Sequence, residues 1–195
     1  MRGLPVVVTG VDVKEQSREH NTAVAERLAA SGAFGDGRAE FVVGSIEDVA
    51  LAPAPEVVLA LHACDTATDD ALARAAAWQA PVALAAPCCH HDVAAQLRAA
   101  ATPAPYAALT RHGILRERFA DTLTDALRAS LLRLEGYRVE VVEFVGSEHT
   151  PRNTLLRATR TGAPVAGEQR EEYDELVRTW GVRPRLGELL GTPGA

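Results

Sequence analysis

Long apolar runs are missing from this chain: none approaches the roughly 18 residues at which a segment reads as a membrane span. Nor does it open with a charged-then-apolar leader ending in a cleavage site. The chain is therefore expected to be soluble and cytoplasmic, without a membrane partner. Cysteine is scarce, at three residues of which two are adjacent, so a disulfide framework is excluded and reduced thiols are expected. An excess of positive charge is also lacking. Twenty Lys and Arg face 26 Asp and Glu for a formal net charge of −6. That excludes a dedicated, sequence-independent nucleic-acid binder but not an enzyme that grips RNA through a local patch. Lysine itself is confined to Lys14, and together with abundant alanine this reads as the coding bias of a GC-rich bacterial genome. No internal repeat is visible.

What is present is a globular composition, 47% hydrophobic over 195 residues, enough to bury a core in a single domain. "PVVVTGVDVKEQ" is a β-branched run ending at Asp12, a strand signature. "SREHNTAVAERLAASG" follows with Val24 and Leu28 at helical spacing and Gly32 beyond its end. "AEFVVGSIED", "EVVLALHACD" and "PVALAAPCC" read as three further strands. The helices "TATDDALARAAAWQA" and "HDVAAQLRAAA" follow the last two. In the former, Thr68 can cap, while Asp69 and Asp70 suit the first turn. Repeated strand–helix units predict a mostly parallel sheet with helices on both faces. "ILRERFADTLTDALRASLLRLEG" predicts a long amphipathic helix closed by Gly136. "YRVEVVEFVG" and "NTLLRATR" predict an antiparallel hairpin. Beyond Arg160 the composition turns to Gly, Pro and polar residues. The helix "EEYDELVRTW" then places Tyr173, Leu176, Val177 and Trp180 on one face, as for docking on the body. The expected division is 1–160 as the main domain and 161–195 as linker and C-terminal helix.

Ligands of such sheets sit at the carboxyl ends of the strands, and the chain's unusual residues fall at four of them. Asp12 ends the first; Ser45, Ile46, Glu47 and Asp48 follow the second. His62, Cys64 and Asp65 end the third, and Cys88, Cys89 and His90 the fourth. A carboxylate in the position of Asp12 can accept from both ribose hydroxyls, although an Asp after a strand is often only a turn former. Cys64, Cys88, Cys89, His62, His90 and His91 together offer soft ligands for zinc. Ligands of structural zinc are usually two to four residues apart, however, and adjacent side chains tend to diverge. Cys88 and Cys89 precede a helix, which can activate a thiol as a nucleophile; they can equally be small packing groups or the lining of a pocket. The loop "SEHTPRN" holds His149, Thr150, Arg152 and Asn153, either a polar hairpin turn or a substrate wall. Arg111, Arg116 and Arg118 could extend a phosphate-binding patch from there or serve only as solvated helix charges.

Taken together, "GVDVKEQ", "LHACDTATDDAL", "PCCHH", "GILRERFADTLTDALRASLL" and "EFVGSEHTPRNTLLRA" resemble a bacterial family of S-adenosylmethionine-dependent methyltransferases over Val6 to Arg160. A more distant likeness is to the eukaryotic tRNA 2′-O-methyltransferases of the acceptor stem. The resemblance implies a Rossmann-like class I methyltransferase sheet, S-adenosylmethionine as cofactor, and tRNA or rRNA as expected acceptor. Oligomeric state is left open. It implies Asp12 as ribose ligand, Ser45 and Ile46 beside the adenine, and His62, Ala63, Cys64 and Asp65 where sulfonium meets acceptor. Cys88, Cys89 and His90 would line the acceptor side.

The chain departs from that family at its start. Such sheets begin with a strand and a Gly-rich loop that lets backbone approach the methionine part of the donor. Nothing upstream of Asp12 supplies one. The strand expected to be missing belongs in the centre, between the strands ending at Asp12 and Leu61. A misassigned start, a fragment, or direct pairing of the two flanking strands would each account for it. A non-catalytic remnant of the fold and a zinc protein remain the alternative functions.

Overall fold

A computed structural model describes residues 5–61, 63–143, 145–146 and 153–192. It is an α/β chain that divides into two units, 1–51 and 52–195.

The first unit is one βαβ element. Strand β1 (Val7–Asp12) and strand β2 (Arg38–Val43) run parallel, from Val7 opposite Arg38 to Asp12 opposite Val43. Parallel strands need a crossover, and α1 (Glu15–Ala30) provides it. Gly10 is required by packing: a Cβ there would stand 2.4 Å from Cδ1 of Phe41. Of α1 only Ala25 is buried, so this unit has little core of its own.

The second unit carries β3 (Val57–Leu61), α2 (Thr66–Ala77), β4 (Val82–Ala86) and α3 (His91–Ala99). It continues through α4 (Ala107–Thr110), α5 (Gly113–Leu134), β5 (Tyr137–Glu143), β6 (Thr154–Arg160), α6 (Gly167–Trp180) and α7 (Arg185–Leu189). Its sheet order is β3-β4-β6-β5. The β3/β4 ladder is parallel and both ladders of β6 are antiparallel, so the chain does close in a β5–β6 hairpin. Gly136 follows α5 with φ +82°, a conformation that favours glycine.

The core lies where α2 and α5 cover the sheet. Val58, Ala60, Ala83, Ala85, Val139, Leu156 and Ala158 meet Leu72, Leu123, Leu127 and Leu131 from the helices, all buried. The small alanines of β4 let the helices come close, and the leucines fill the space. On the other face of β3, Val57, Leu59 and Leu61 are 48, 56 and 50% exposed. A strand expected under helices on both faces is thus buried on one.

The βα pattern predicts one sheet, and the described strands form two. β2 takes one edge of β1, β4 takes one edge of β3, and no strand among the described residues ladders with the remaining edge of either.

Helix α6 buries Tyr173, Val177 and Trp180, with the Trp180 ring tilted against Phe119 and Tyr106 at centroid distances of 4.3 and 5.5 Å. Tyr173 Oη donates to the Thr192 carbonyl at 2.9 Å, and burial pushes its phenol up to about 12, so the proton is held at ordinary pH. A Cβ on Gly187 would lie 2.5 Å from that oxygen and 2.7 Å from the Thr192 carbonyl oxygen. Gly187→Ala is therefore expected to cost about 1–3 kcal/mol by overpacking. Urea titration beside Tyr173→Phe checks it; a Gly187→Ala midpoint equal to the parent's would show that the closing segment yields freely.

Candidate functional site

In the first unit Asp12 ends β1 and is exposed. Its Oδ1 accepts the Lys14 N–H at 2.8 Å, an Asx turn that starts α1. Asp12 also lines a shallow depression of about 90 Å³ with Gly10, Arg18, Asn21 and Phe41. Ser45 and Ile46 lie just beyond β2, both half-buried. The Ser45 hydroxyl accepts from the Glu47 N–H at 3.2 Å, and its carbonyl accepts from Asp48 and Val49 at 3.1 Å. These residues shape a tight turn whose outer surface follows the strand end.

In the second unit the parallel register of β3 and β4, Leu61 opposite Ala86, sends both chains out of the sheet side by side. Cys64 is exposed and Cys88 and Cys89 are half-buried. The sulfurs of Cys64 and Cys88 are 3.0 Å apart, and all three lie within 4.8 Å of one another. Convergence therefore replaces the divergence expected of adjacent residues, because the loop after β4 turns both thiols toward Cys64. Hydrogen bonds from Cys88 and Cys89 push the Cys64 thiol up to about 12. A thiol held protonated is a poor nucleophile, which weighs against covalent attack by Cys64. Ala63 lies beside this cluster in sequence; His62 lies outside the described residues, as do His149, Thr150 and Arg152.

Asp65 and His90 sit within a buried polar network. Asp65 has φ +54° and ψ −124°, a backbone conformation that costs a non-glycine residue energy. Its Oδ1 accepts the Asp92 N–H at 3.1 Å, capping α3, and its carbonyl accepts from Arg128 Nη2 at 2.8 Å. Arg128, 2% exposed, also grips Asp69 through two bonds of 2.8 and 2.7 Å and reaches Asp125 at 3.3 Å. His90 is 4% exposed. Its Nε2 is 2.9 Å from Asp125 Oδ1; its Nδ1 is 3.1 Å from Asp121 Oδ1 but off the hydrogen-bonding direction. The His90 imidazole fastens the Cys88–Cys89 loop to α5.

Thr68 is buried and donates to the Ala63 carbonyl. Asp69 lies in the first turn of α2 as expected and also pairs with Arg128. Asp121, Asp125 and Arg128 were not singled out from the sequence. The available signal was Asp125 and Arg128, three residues apart within the apolar series Leu123, Leu127 and Leu131. Among the arginines, Arg111 and Arg118 are exposed and Arg116 donates to the Thr110 carbonyl at 3.3 Å.

The region from β1 through both cysteine-bearing strand ends is where sequence comparison gives a result. Residues 1–96 match the family model of a methyltransferase domain. The match supports a methyltransferase and ends inside α3, so α5, the hairpin and the C-terminal helices lie beyond it. No curated protein and no solved structure matches the chain. No helix among the described residues is long and apolar enough to cross a membrane.

A methyl donor of nucleoside type can be tested against the first unit. A carboxylate at the carboxyl end of a parallel strand suits ribose hydroxyls. Pockets that enclose a whole small ligand measure about 300–1,000 Å³, and the depression beside Asp12 has about 90 Å³. The residues present fit the ribose end of such a donor and not the whole of it.

Proposed function

We propose that residues 1–160 form the methyl-transfer part of an S-adenosylmethionine-dependent methyltransferase whose acceptor is RNA. The observation that carries the reading is the methyltransferase-domain match over residues 1–96. Asp12 at the end of β1, beside its depression, supports it. When bound, the donor supplies an activated methyl group on its sulfonium, so protein groups need chiefly to position and to exclude water. Asp12 holds the ribose: a carboxylate offers about four acceptor sites, and the turn to Lys14 uses one. Ser45 and Ile46, fixed in their turn, form the adenine side. RNA as acceptor rests on the likeness to tRNA methyltransferases; with a net charge of −6, its grip must be local and salt-sensitive.

Calorimetry with S-adenosylhomocysteine tests the donor. Heat of binding is expected from the parent chain. Asp12→Ala should weaken it about tenfold or more, the worth of a hydrogen bond to a charged group. An Asp12→Ala affinity equal to the parent's would remove the ribose assignment. Absence of heat from the parent would favour a non-catalytic protein of this fold, a reading to which the small depression lends its weight.

A further inference from the structure

We infer that Cys64, Cys88 and Cys89 form a three-thiolate site for a zinc ion, completed by water among the described residues. The three are all the cysteines the chain has, and they come from two strand ends to one point. A zinc–sulfur bond of about 2.3 Å in a tetrahedral site sets the sulfurs roughly 3.8 Å apart. The Cys64 and Cys88 sulfurs stand 3.0 Å apart and all three lie within 4.8 Å of one another, close enough for one ion to draw them to that spacing.

Two further observations favour a ligand over packing. Free cysteines that only fill space are among the most buried residues, whereas Cys64 is exposed and its two neighbours are half-buried. The backbone on both sides of the thiols is also held from beneath. Arg128 and the Asp92 N–H fix Asp65, one residue after Cys64. Asp125 fixes His90, one residue after Cys89. Metal sites depend on such outer bonds to keep their ligands aimed. Binding exchanges three thiol protons for one Zn²⁺, leaving a site of net charge −1 on a face open to solvent. Three protein ligands and an exchangeable water match zinc that binds or activates a ligand, rather than a closed structural site of four.

This assignment does not rest on the methyl-donor reading, and its test is separate from donor binding. The chain, purified without a histidine tag and dialysed against zinc, is expected to retain about one equivalent by elemental analysis. Cobalt in its place is expected to show the charge-transfer absorption of thiolate ligation. Cys64→Ser, Cys88→Ser and Cys89→Ser should each lose more affinity than the about 10–100-fold typical of outer-shell partners. Their far-ultraviolet circular dichroism is expected to match the parent's. Zinc below about a tenth of an equivalent in the folded parent, or serine variants that bind as the parent does, would overturn the site. S-adenosylhomocysteine calorimetry on the same samples separates that outcome from failure of the methyltransferase reading.

Discussion

Arg128→Met is expected to lower the stability of the chain by about 3–5 kcal/mol, the cost of removing one partner from a buried ion pair. Arg128 is 2% exposed and makes two bonds to Asp69, one to the Asp65 carbonyl and one to Asp125. Methionine fills much of the same volume, so the loss comes from charge rather than from a void. It strands Asp69, 5% exposed, and leaves the buried Asp125 with His90 alone. Combining Arg128→Met with Asp69→Asn should recover part of the loss, because an amide is cheaper to bury than an unpaired carboxylate. Urea denaturation of the four proteins in the cycle decides it. A single-variant loss below about 1 kcal/mol would mean that the buried cluster relaxes by admitting water.

His90→Ala is expected to act on stability first. Its bond to Asp125 carries about 1.5–3 kcal/mol as a hydrogen bond to a charged group, and the void left by the ring adds to that. Because His90 and Arg128 share Asp125 Oδ1, the two variants should not be additive. Loosening the residue next to Cys89 should also raise the alkylation rates of Cys88 and Cys89. Equilibrium unfolding together with peptide-resolved alkylation measures both effects. A change in stability within about 0.5 kcal/mol, the range of ordinary surface substitutions, would mean that the His90–Asp125 bond does not hold the loop.

The strands and helices were largely legible because each carries a local signal. β-branched runs mark β1, β2 and β3, and Gly32, Gly136 and Gly181 mark helix ends with positive φ. The apolar face of α6 was readable from Tyr173, Val177 and Trp180 at helical spacing. The roles of polar residues were far less legible. Asp69 is the first-turn acid its position announces, and Thr68 looked like a cap, but neither spacing revealed the bonding partner. Each has its partner in an element distant in sequence, as with Asp69 and Arg128, or at an unexpected local acceptor, as with Thr68 and Ala63. His90 and Cys89 are neighbours in the chain and equally suggestive as ligands. One is buried against α5 and the other is half-exposed beside Cys64.

Composition and periodicity alone determined the α/β class, the positions of the strand ends, and the closing β5–β6 pair. All of these depend on interactions within a few residues or on a repeating pattern. Only the tertiary structure decided that the strands divide between two sheets. It also decided that His90 and Asp65 brace a loop and that three thiols meet at one point. Those outcomes depend on which strand edges find partners and on how two chains leave neighbouring strands. Such relations arise between segments far apart in sequence, where no local spacing records them.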